Sequence, residues 1–315
     1  MAPSQERWPE LSLVAWRDTR DTLHLWTQVI GKIRLALAPW LNHSWQVALY
    51  VTARGLTTSP IPWRGGDFQI DVDFIDHVLW VRTSEGHFRQ VMLTPMSVAE
   101  FYNSVMIALS ELGIEVKVTT MPCEIADCIP FEQDTLHAAY DPLYANRFWR
   151  VLLAAHDVFA RFRTGFLGKA SPVHFFWGSF DLAVTRFSGR IAPRHPGGVP
   201  HLPDAVAQEA YSHEVSSAGF WPGGGGPIDD AAFYSYGYPA PEGFAAAKVK
   251  PAQACFSTEL GEFLLPYEAV RTARDPDAAL MEFLQSTYAA AADLAKWDRA
   301  KLDCAIGIPN RPRHV

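Results

Sequence analysis

Two polar clusters in the sequence contain residue types that could carry out chemistry. His174 and Asp181 lie within SPVHFFWGSFDLAVTRFSGR, residues 171–190, and His213 and Glu214 are adjacent in YSHEV. A histidine with a carboxylate partner transfers protons near neutral pH, and imidazole and carboxylate groups also bind divalent transition metals. The candidate catalytic residues are therefore His174, Asp181, His213 and Glu214.

One hypothesis for these residues is a metal-dependent enzyme. His174, His213 and Glu214 would bind zinc, iron or manganese, with His137 or Asp181 as a further ligand or an orienting group. Against it, the sequence has no H-E-x-x-H spacing, and adjacent residues in a strand point to opposite faces. A hydrogen-bonded core histidine is the simpler interpretation of His174.

A second hypothesis is acid–base catalysis without a metal. One of the two histidines would act as general base, one of the two carboxylates would orient it, and Arg54 or Arg186 would bind an anionic group of the substrate. The sequence lacks a G-x-S-x-G motif, which disfavours a serine hydrolase. A structural ion pair of Asp181 with Arg186 or Arg190 is the alternative interpretation.

Aromatic residues near both clusters predict a wall for a small organic ligand, because such rings combine apolar surface with polar tips. The predicted ligand-binding residues, besides the two arginines, are Trp45, Trp177, Tyr211, Trp221, Tyr234 and Tyr236. A non-catalytic protein that binds an aromatic or lipid-like molecule is thus the alternative to an enzyme. We favour an enzyme, since several ionisable groups are costly to bury for packing alone. The glycines at 223–226 are interpreted as a flexible lid.

Residues 171–190 predict one long central strand, because both of its faces are largely apolar. In such a strand His174 and Arg186 share a face, and Asp181 lies on the other. Gly178 leaves an alternative open, since a bulge there would exchange the faces of all later residues. In either case Asp181 and Arg186 are buried and need partners.

Apolar periodicity, caps and turn residues predict the elements around this strand. Helices are predicted over 18–37, 97–113, 141–165 and 275–301. Strands are predicted over 45–54, 67–74, 78–83, 87–93, 210–217, 232–238, 254–257 and 261–266. Those at 67–93 form an antiparallel meander, because a Ser-Glu-Gly turn joins the last two.

The predicted fold class is α+β, with two similar halves that each contain an antiparallel sheet packed by helices. The halves are residues 1–135 and 136–315 of one integrated globular unit, and the candidate site lies at the centre of the second. An internal duplication would explain the repeated order of elements. His43 and Arg54 would then correspond to His174 and Arg186.

Composition excludes several classes of protein. The 315 residues include 49% hydrophobic ones, and the net charge of −7 without a Lys/Arg cluster argues against nucleic-acid binding. No apolar run approaches the roughly 20 residues of a membrane helix, and no secretory signal is evident, so we expect a cytoplasmic protein with a small-molecule partner. The four cysteines are scattered and are interpreted as reduced thiols; oligomeric state is left open.

Several long runs in the chain are distinctive: WPELSLVAWRDTRDTLHLWTQVIGKIRLALAP, LYVTARGLTTSPIP, YANRFWRVL, SPVHFFWGSFDLAVTRFSGR, EAYSHEVSSAGFWPGGG and GEFLLPYEAVRTARDPDAALMEFLQSTYAAAADLAKWD. They resemble a bacterial family of uncharacterised proteins that is classed as a domain of unknown function. The resemblance covers the chain from Trp8 to Asp298. It implies a single family module and a bacterial source, and it implies no activity, cofactor or catalytic residue.

Overall fold

The computed structural model describes residues 6–224 and 229–313, which form an α+β protein with two antiparallel sheets packed by helices. The predicted fold class is confirmed. The α-helices in this part of the chain are α1 (Leu13–Leu37), α2 (Val98–Glu111), α3 (Pro142–Arg163), α4 (Asp204–Ala210), α5 (Tyr267–Arg271), α6 (Pro276–Leu294) and α7 (Arg299–Leu302). None of these helices is long and apolar enough to cross a membrane.

The first sheet, called the N-terminal sheet below, is a meander that follows α1. Its strands are β1 (Tyr50–Val51), β2 (Gly55–Thr57), β3 (Ile61–Trp63), β4 (Gly66–Asp73), β5 (Val78–Thr83) and β6 (Phe88–Met92). Along β4 the apolar residues Phe68, Ile70 and Val72 are buried, while Gln69 and Asp71 face solvent. This is the alternation that the sequence predicts for a half-buried strand.

The second sheet, called the C-terminal sheet, follows α3 and precedes α6 in the chain. Its strands are β7 (His174–Phe176), β8 (Asp181–Ile191), β9 (His213–Trp221), β10 (Ala232–Tyr238), β11 (Cys255–Ser257) and β12 (Glu262–Pro266). They are ordered β11-β12-β10-β9-β8-β7. One face packs against the helices, and it contributes the buried residues Leu182, Val184, Phe220 and Phe233. The opposite face remains available to form a site.

The starts of α2, α3 and α6 are where local sequence predicts them. Ser97 and Glu100 form a capping box at the start of α2. The Asp141 carboxylate accepts hydrogen bonds from the first backbone N–H groups of α3, and the Asp275 carboxylate accepts one at the start of α6. Other boundaries differ from the prediction: α1 begins at Leu13, α6 already ends at Leu294, and β9 begins only after helix α4. The short elements β2, β3, α4 and α5 were not predicted.

The predicted central strand is wrong, because residues 171–190 form a tight hairpin. The chain turns at 177–180, where Phe180 adopts a left-handed φ of 59°, and β7 runs antiparallel to β8. His174 pairs with Ala183 and Phe176 pairs with Asp181, so His174 shares a face with Asp181. Arg186 lies on the other face. Neither a continuous strand nor a bulge at Gly178 produces this arrangement.

A short antiparallel bridge joins the two sheets. Leu49 and Phe175 exchange two backbone hydrogen bonds, with N···O distances of 2.8 and 2.7 Å. The predicted strand over 45–54 is therefore mostly wrong: only Tyr50–Val51 belongs to a strand, and the residues before Leu49 form turns. Each half follows the order helix, antiparallel sheet, helix. The domain boundary near residue 135 and the duplication remain predictions.

Candidate functional site

A cavity of about 920 Å³ lies on the open face of the C-terminal sheet. The sheet supplies its floor through β7, β8, β9, β10 and β12. The cover comes from the end of α1, the 3-10 turn Asn42–Ser44, α4 and the loops at 119–124 and 199–203. Most of the wall is apolar, with Leu35, Val47, Phe176, Phe187, Leu202 and Leu264 among its residues. This size suits a small organic ligand.

Three carboxyl groups lie at one end of this cavity, which we call the acidic end: Glu124, Asp181 and Glu262. Burial, and to a lesser degree the charge of Asp181, raises the pKa of Glu124 and of Glu262 to about 7. Burial also raises the pKa of Asp181 above its ordinary value, although two hydroxyl hydrogen bonds oppose the rise. Glu124 is exposed and lines the cavity, so its carboxyl group is less shielded from water than that of Asp181.

Hydroxyl groups surround Asp181. Ser179 Oγ donates a hydrogen bond to Asp181 Oδ1 at 2.5 Å, and Tyr234 Oη donates to Oδ2. A Cβ on Gly219 would lie 2.3 Å from Tyr234 Oη, so glycine is required for Tyr234 to reach across β9. These bonds fix the Asp181 carboxyl group at the floor of the cavity.

A group of tyrosines extends from this point. Tyr234 stacks on Tyr236 with ring centroids 6.1 Å apart, and the hydroxyl groups of Tyr236 and Tyr211 are 2.9 Å apart. Burial raises the pKa of Tyr211 to about 12 and that of Tyr234 and Tyr236 well above the ordinary value. All three phenols are therefore neutral, and they line the cavity with aromatic surface and with hydroxyl groups.

His174 occupies another part of the wall, between the rings of Trp45 and Phe176. Only 1% of its surface is exposed, and its Nδ1 atom has no hydrogen-bond partner. Burial, followed by the nearby charges of Arg34 and Arg163, lowers the pKa of His174 to about 3. His174 is therefore a neutral imidazole with an unused polar atom.

His43 and Lys169 lie next to Trp45, which also contacts His174. Lys169 Nζ is 2.6 Å from His43 Nε2, and His43 Nδ1 is 3.0 Å from the carbonyl oxygen of Ala210. Both contacts are satisfied when neutral His43 donates from Nδ1 and accepts from Lys169 at Nε2. The ammonium group of Lys169 also lies 4.8 Å from the ring centre of Phe187. Burial lowers the pKa of both His43 and Lys169.

Polar residues on α1 hold the loops of the acidic end. His24 Nε2 donates to the carbonyl oxygen of Gly178 at 2.7 Å, and Gln28 bonds both the N–H and the carbonyl oxygen of Cys123 at 2.9 Å. Glu124 follows Cys123 directly and adopts a left-handed φ of 63°. Such backbone strain persists only where surrounding contacts impose it, and it is common at functional sites.

A model of the DUF5996 family, a family of unknown function, matches residues 8–304. The chain belongs to the DUF5996 family. No curated protein and no solved structure matches it. The DUF5996 match contains both sheets and every residue of the acidic end. The expected bacterial source remains a prediction.

The structure of this DUF5996 member brings eight of the predicted residues to the cavity wall. They are Trp45, His174, Trp177, Asp181, Tyr211, Trp221, Tyr234 and Tyr236. Trp177 donates from Nε1 to the carbonyl oxygen of Val47 at 2.8 Å and packs on Gly31, where a Cβ would lie only 2.1 Å from its indole nitrogen. Its position therefore depends on glycine in α1.

The two predicted anion-binding arginines lie elsewhere. Arg54 is in the N-terminal half and forms ion pairs with Asp73 at 2.5 Å and Asp76 at 2.6 Å. Arg186 lies on the helix-covered face of the C-terminal sheet, where its guanidinium carbon is 3.6 Å from the ring centre of Phe162 and 4.3 Å from that of Tyr288. Neither arginine lines the cavity, so the structure does not bring the two predicted anion-binding residues to this site.

The predicted metal ligands do not converge. Glu214 forms an ion pair with Arg190 at 2.6 Å and does not line the cavity, while His213 contacts His43, with ring centres 6.3 Å apart. His137 is bonded to Asp134 at 2.8 Å. Within residues 6–224 and 229–313, no three His, Cys, Asp or Glu side chains form a group that could hold a metal ion. Alternation in β9 explains the failure, because adjacent residues point apart.

Among the lining residues that sequence reasoning missed are the charged ones Lys32, Glu124 and Glu262. For Glu262 a signal existed, because β12 alternates Glu262 and Leu264 on the cavity face with Phe263 and Leu265 on the other. For Glu124 no local signal existed. The predicted glycine lid lies partly outside the described residues, which include Gly223 and Gly224 but omit 225–228.

Proposed function

We propose that the cavity on the C-terminal sheet is the binding site for a small organic molecule. The observation that carries this proposal is a cavity of about 920 Å³ whose apolar wall converges on a few polar groups. Binding sites for small organic ligands combine these two properties, because apolar surface supplies affinity and a few polar groups fix orientation.

The arrangement of the polar groups supports the proposal. Hydrogen bonds hold Asp181 to Ser179 and Tyr234, and Tyr236 to Tyr211, so these side chains have fixed positions in the cavity wall. Fixed polar groups orient a bound molecule.

Acid–base catalysis on the bound molecule is the second candidate function. Burial raises the pKa of Glu124 and Glu262 to about 7, so each carboxyl group exchanges its proton near neutral pH. His174 is a poor general base, since burial lowers its pKa to about 3. The carboxyl groups, rather than the predicted histidines, are therefore the candidate proton-transfer groups.

The proposal is tested by filling the cavity. Ala183 lies on the cavity floor in β8, and Ala183→Phe places a ring there; Ala252→Phe adds the same ring at an exposed position outside the cavity. We expect molecules released from denatured, purified wild-type protein and from Ala252→Phe to be depleted in Ala183→Phe, as measured by mass spectrometry. Thermal-shift hits from a panel of amines, carboxylates and neutral aromatics should disappear in the same variant.

A folded Ala183→Phe protein that retains every released molecule and every thermal-shift hit would contradict the proposal, as would a wild type that shows neither. For the second candidate, the mass of the released molecule is compared before and after incubation with wild-type protein and with Glu262→Gln. Conversion by the wild type alone is expected of a catalytic carboxyl group.

A further inference from the structure

We infer that the ligand is an organic ammonium ion, with its cationic nitrogen at the acidic end and an apolar body along the rest of the cavity. This inference rests on the proposed function, since it specifies what occupies the same site. It follows from two independent features: uncompensated carboxyl groups and aromatic faces beside them.

The carboxyl groups of the acidic end have no basic partner in the part of the chain that the structure describes. Among the described residues, no basic side chain forms an ion pair with Glu124, Asp181 or Glu262. Lys32 also lines the cavity, but its nearest ionisable neighbours are Cys123 and Cys128. Buried carboxylates without a counter-charge are costly, and a cation in the cavity removes that cost.

Aromatic rings next to the carboxyl groups favour an organic cation. Tyr234 and Tyr236 stack side by side on the cavity floor, and Trp221 lies on the neighbouring strand, where it pairs with Ala232. Ring faces attract ammonium groups that have lost part of their hydration. The cavity is also far larger than a hydrated metal ion needs, and the described residues contain no three-ligand metal group.

The test compares three probes of equal chain length by isothermal titration calorimetry at pH 8, which is above the pKa of about 7 of Glu124 and Glu262: hexylammonium, 1-hexanol and hexanoate. We expect hexylammonium to bind at least 10-fold more tightly than 1-hexanol, and hexanoate to bind most weakly. Glu262→Gln should weaken hexylammonium about 10-fold and leave 1-hexanol unchanged. Glu214→Gln is the matched control, because Glu214 lies outside the cavity, and it should preserve the ranking.

The outcomes separate this inference from the proposed function. If 1-hexanol or hexanoate binds as tightly as hexylammonium and all binding is lost in Ala183→Phe, the cavity is a ligand site and the ammonium inference is wrong. Mg²⁺ or Ca²⁺ binding that Glu262→Gln abolishes, without hexylammonium binding, would also overturn it. If none of the probes binds, the charge of the molecule released from wild-type protein decides, and a neutral or anionic molecule overturns the inference. If the wild-type protein also releases no molecule, the proposed function itself is contradicted.

Discussion

The two sheets each carry carboxyl groups on the face that is not packed against helices, but the surroundings of those groups differ. On the N-terminal sheet Asp71 is paired with Arg82 at 2.8 Å, and this face meets solvent. On the C-terminal sheet Asp181 and Glu262 face a covered cavity and have no arginine or lysine partner among the described residues.

This difference shows that strand sequence alone does not determine the charge state of an acidic residue. Asp73, at the end of β4, is buried to the same degree as Asp181, yet hydrogen bonds from Arg54 and from two backbone N–H groups lower its pKa below the ordinary value. Asp181 begins β8 and has hydroxyl partners in place of an arginine, and burial raises its pKa. The partner supplied by the rest of the fold determines the direction of the shift.

The largest expected effect is a difference in stability between two variants, each of which removes an arginine from one of the two sheets. Arg186→Ala removes a buried guanidinium group from between Phe162 and Tyr288, together with its hydrogen bond to the Phe162 carbonyl oxygen, so it should cost about 3–5 kcal/mol. Arg82→Ala removes an exposed cation–π contact at 4.5 Å from Trp80 and an exposed ion pair, and should cost less than about 1 kcal/mol.

Urea denaturation measures both changes through the midpoint at constant slope. Arg186→Met is the matched variant, because it keeps most of the volume and loses the charge, so it should retain part of the stability lost in Arg186→Ala. If Arg186→Ala and Arg82→Ala lowered the unfolding free energy by the same amount, a buried arginine on the C-terminal sheet would contribute no more to stability than an exposed one on the N-terminal sheet.

An intermediate effect is expected from His174 at acidic pH. Its pKa is about 3 when folded and 6.5 ordinarily, so the unfolded chain takes up the proton first as pH falls, and stability is lost from pH 6.5 downwards. At pH 5 this amounts to roughly 2 kcal/mol, from about 1.4 kcal/mol per pH unit. His174→Phe should reduce the dependence of unfolding free energy on pH between 7.5 and 5.

Exposed His87, in the turn between β5 and β6, provides the matching control. His87→Phe should leave the pH dependence unchanged. If His174→Phe also leaves it unchanged, the imidazole is not held neutral by burial, and the contrast between the covered and the open sheet is weaker than the structure indicates.

The smallest expected effect comes from Glu262, and its sign is opposite. Its pKa of about 7 when folded exceeds its ordinary 4.5, so its contribution to stability is present below pH 4.5 and is lost as pH rises through 7. Glu262→Gln should therefore raise the unfolding free energy at pH 8 by about 1–2 kcal/mol, a figure reduced because water in the cavity screens the charge. Little gain is expected at pH 5.

Asp71→Asn on the N-terminal sheet is the control, since its carboxylate is exposed and paired with Arg82. It should change stability by less than about 0.5 kcal/mol at either pH. A Glu262→Gln variant that is less stable than wild type at pH 8 would show that Glu262 makes stabilising contacts as an ion.

Much of the fold was predictable because its signals are local. The alternation in β4 and the caps at Ser97, Asp141 and Asp275 each involve residues within a few positions of one another. The aromatic wall of the cavity was also predictable in part. Tyr234 and Tyr236 are two residues apart in β10, so they lie on the same face of that strand.

The errors arose where long-range contacts decide. A tight turn at 177–180 reverses the faces that residue parity assigns to His174 and Arg186, and two apolar arms look the same as one long strand. Glu124 enters the acidic end only because Gln28, 95 residues earlier, holds the backbone of Cys123. The cavity is a space between distant segments, so no local pattern describes it.

The contacts of α1 also have a consequence for synthesis of the protein. His24 precedes its partner Gly178 by 154 residues, so a ribosome elongating at roughly 5–20 residues per second needs about 8–30 s to supply that partner. Throughout this interval the part of α1 that contacts the turn between β7 and β8 is uncovered, although the N-terminal sheet, α2 and α3 can already pack on the rest of the helix. A nascent chain stalled before residue 178 should therefore leave this part of α1 open to protease and chaperone binding, and one stalled well beyond the C-terminal sheet should protect it.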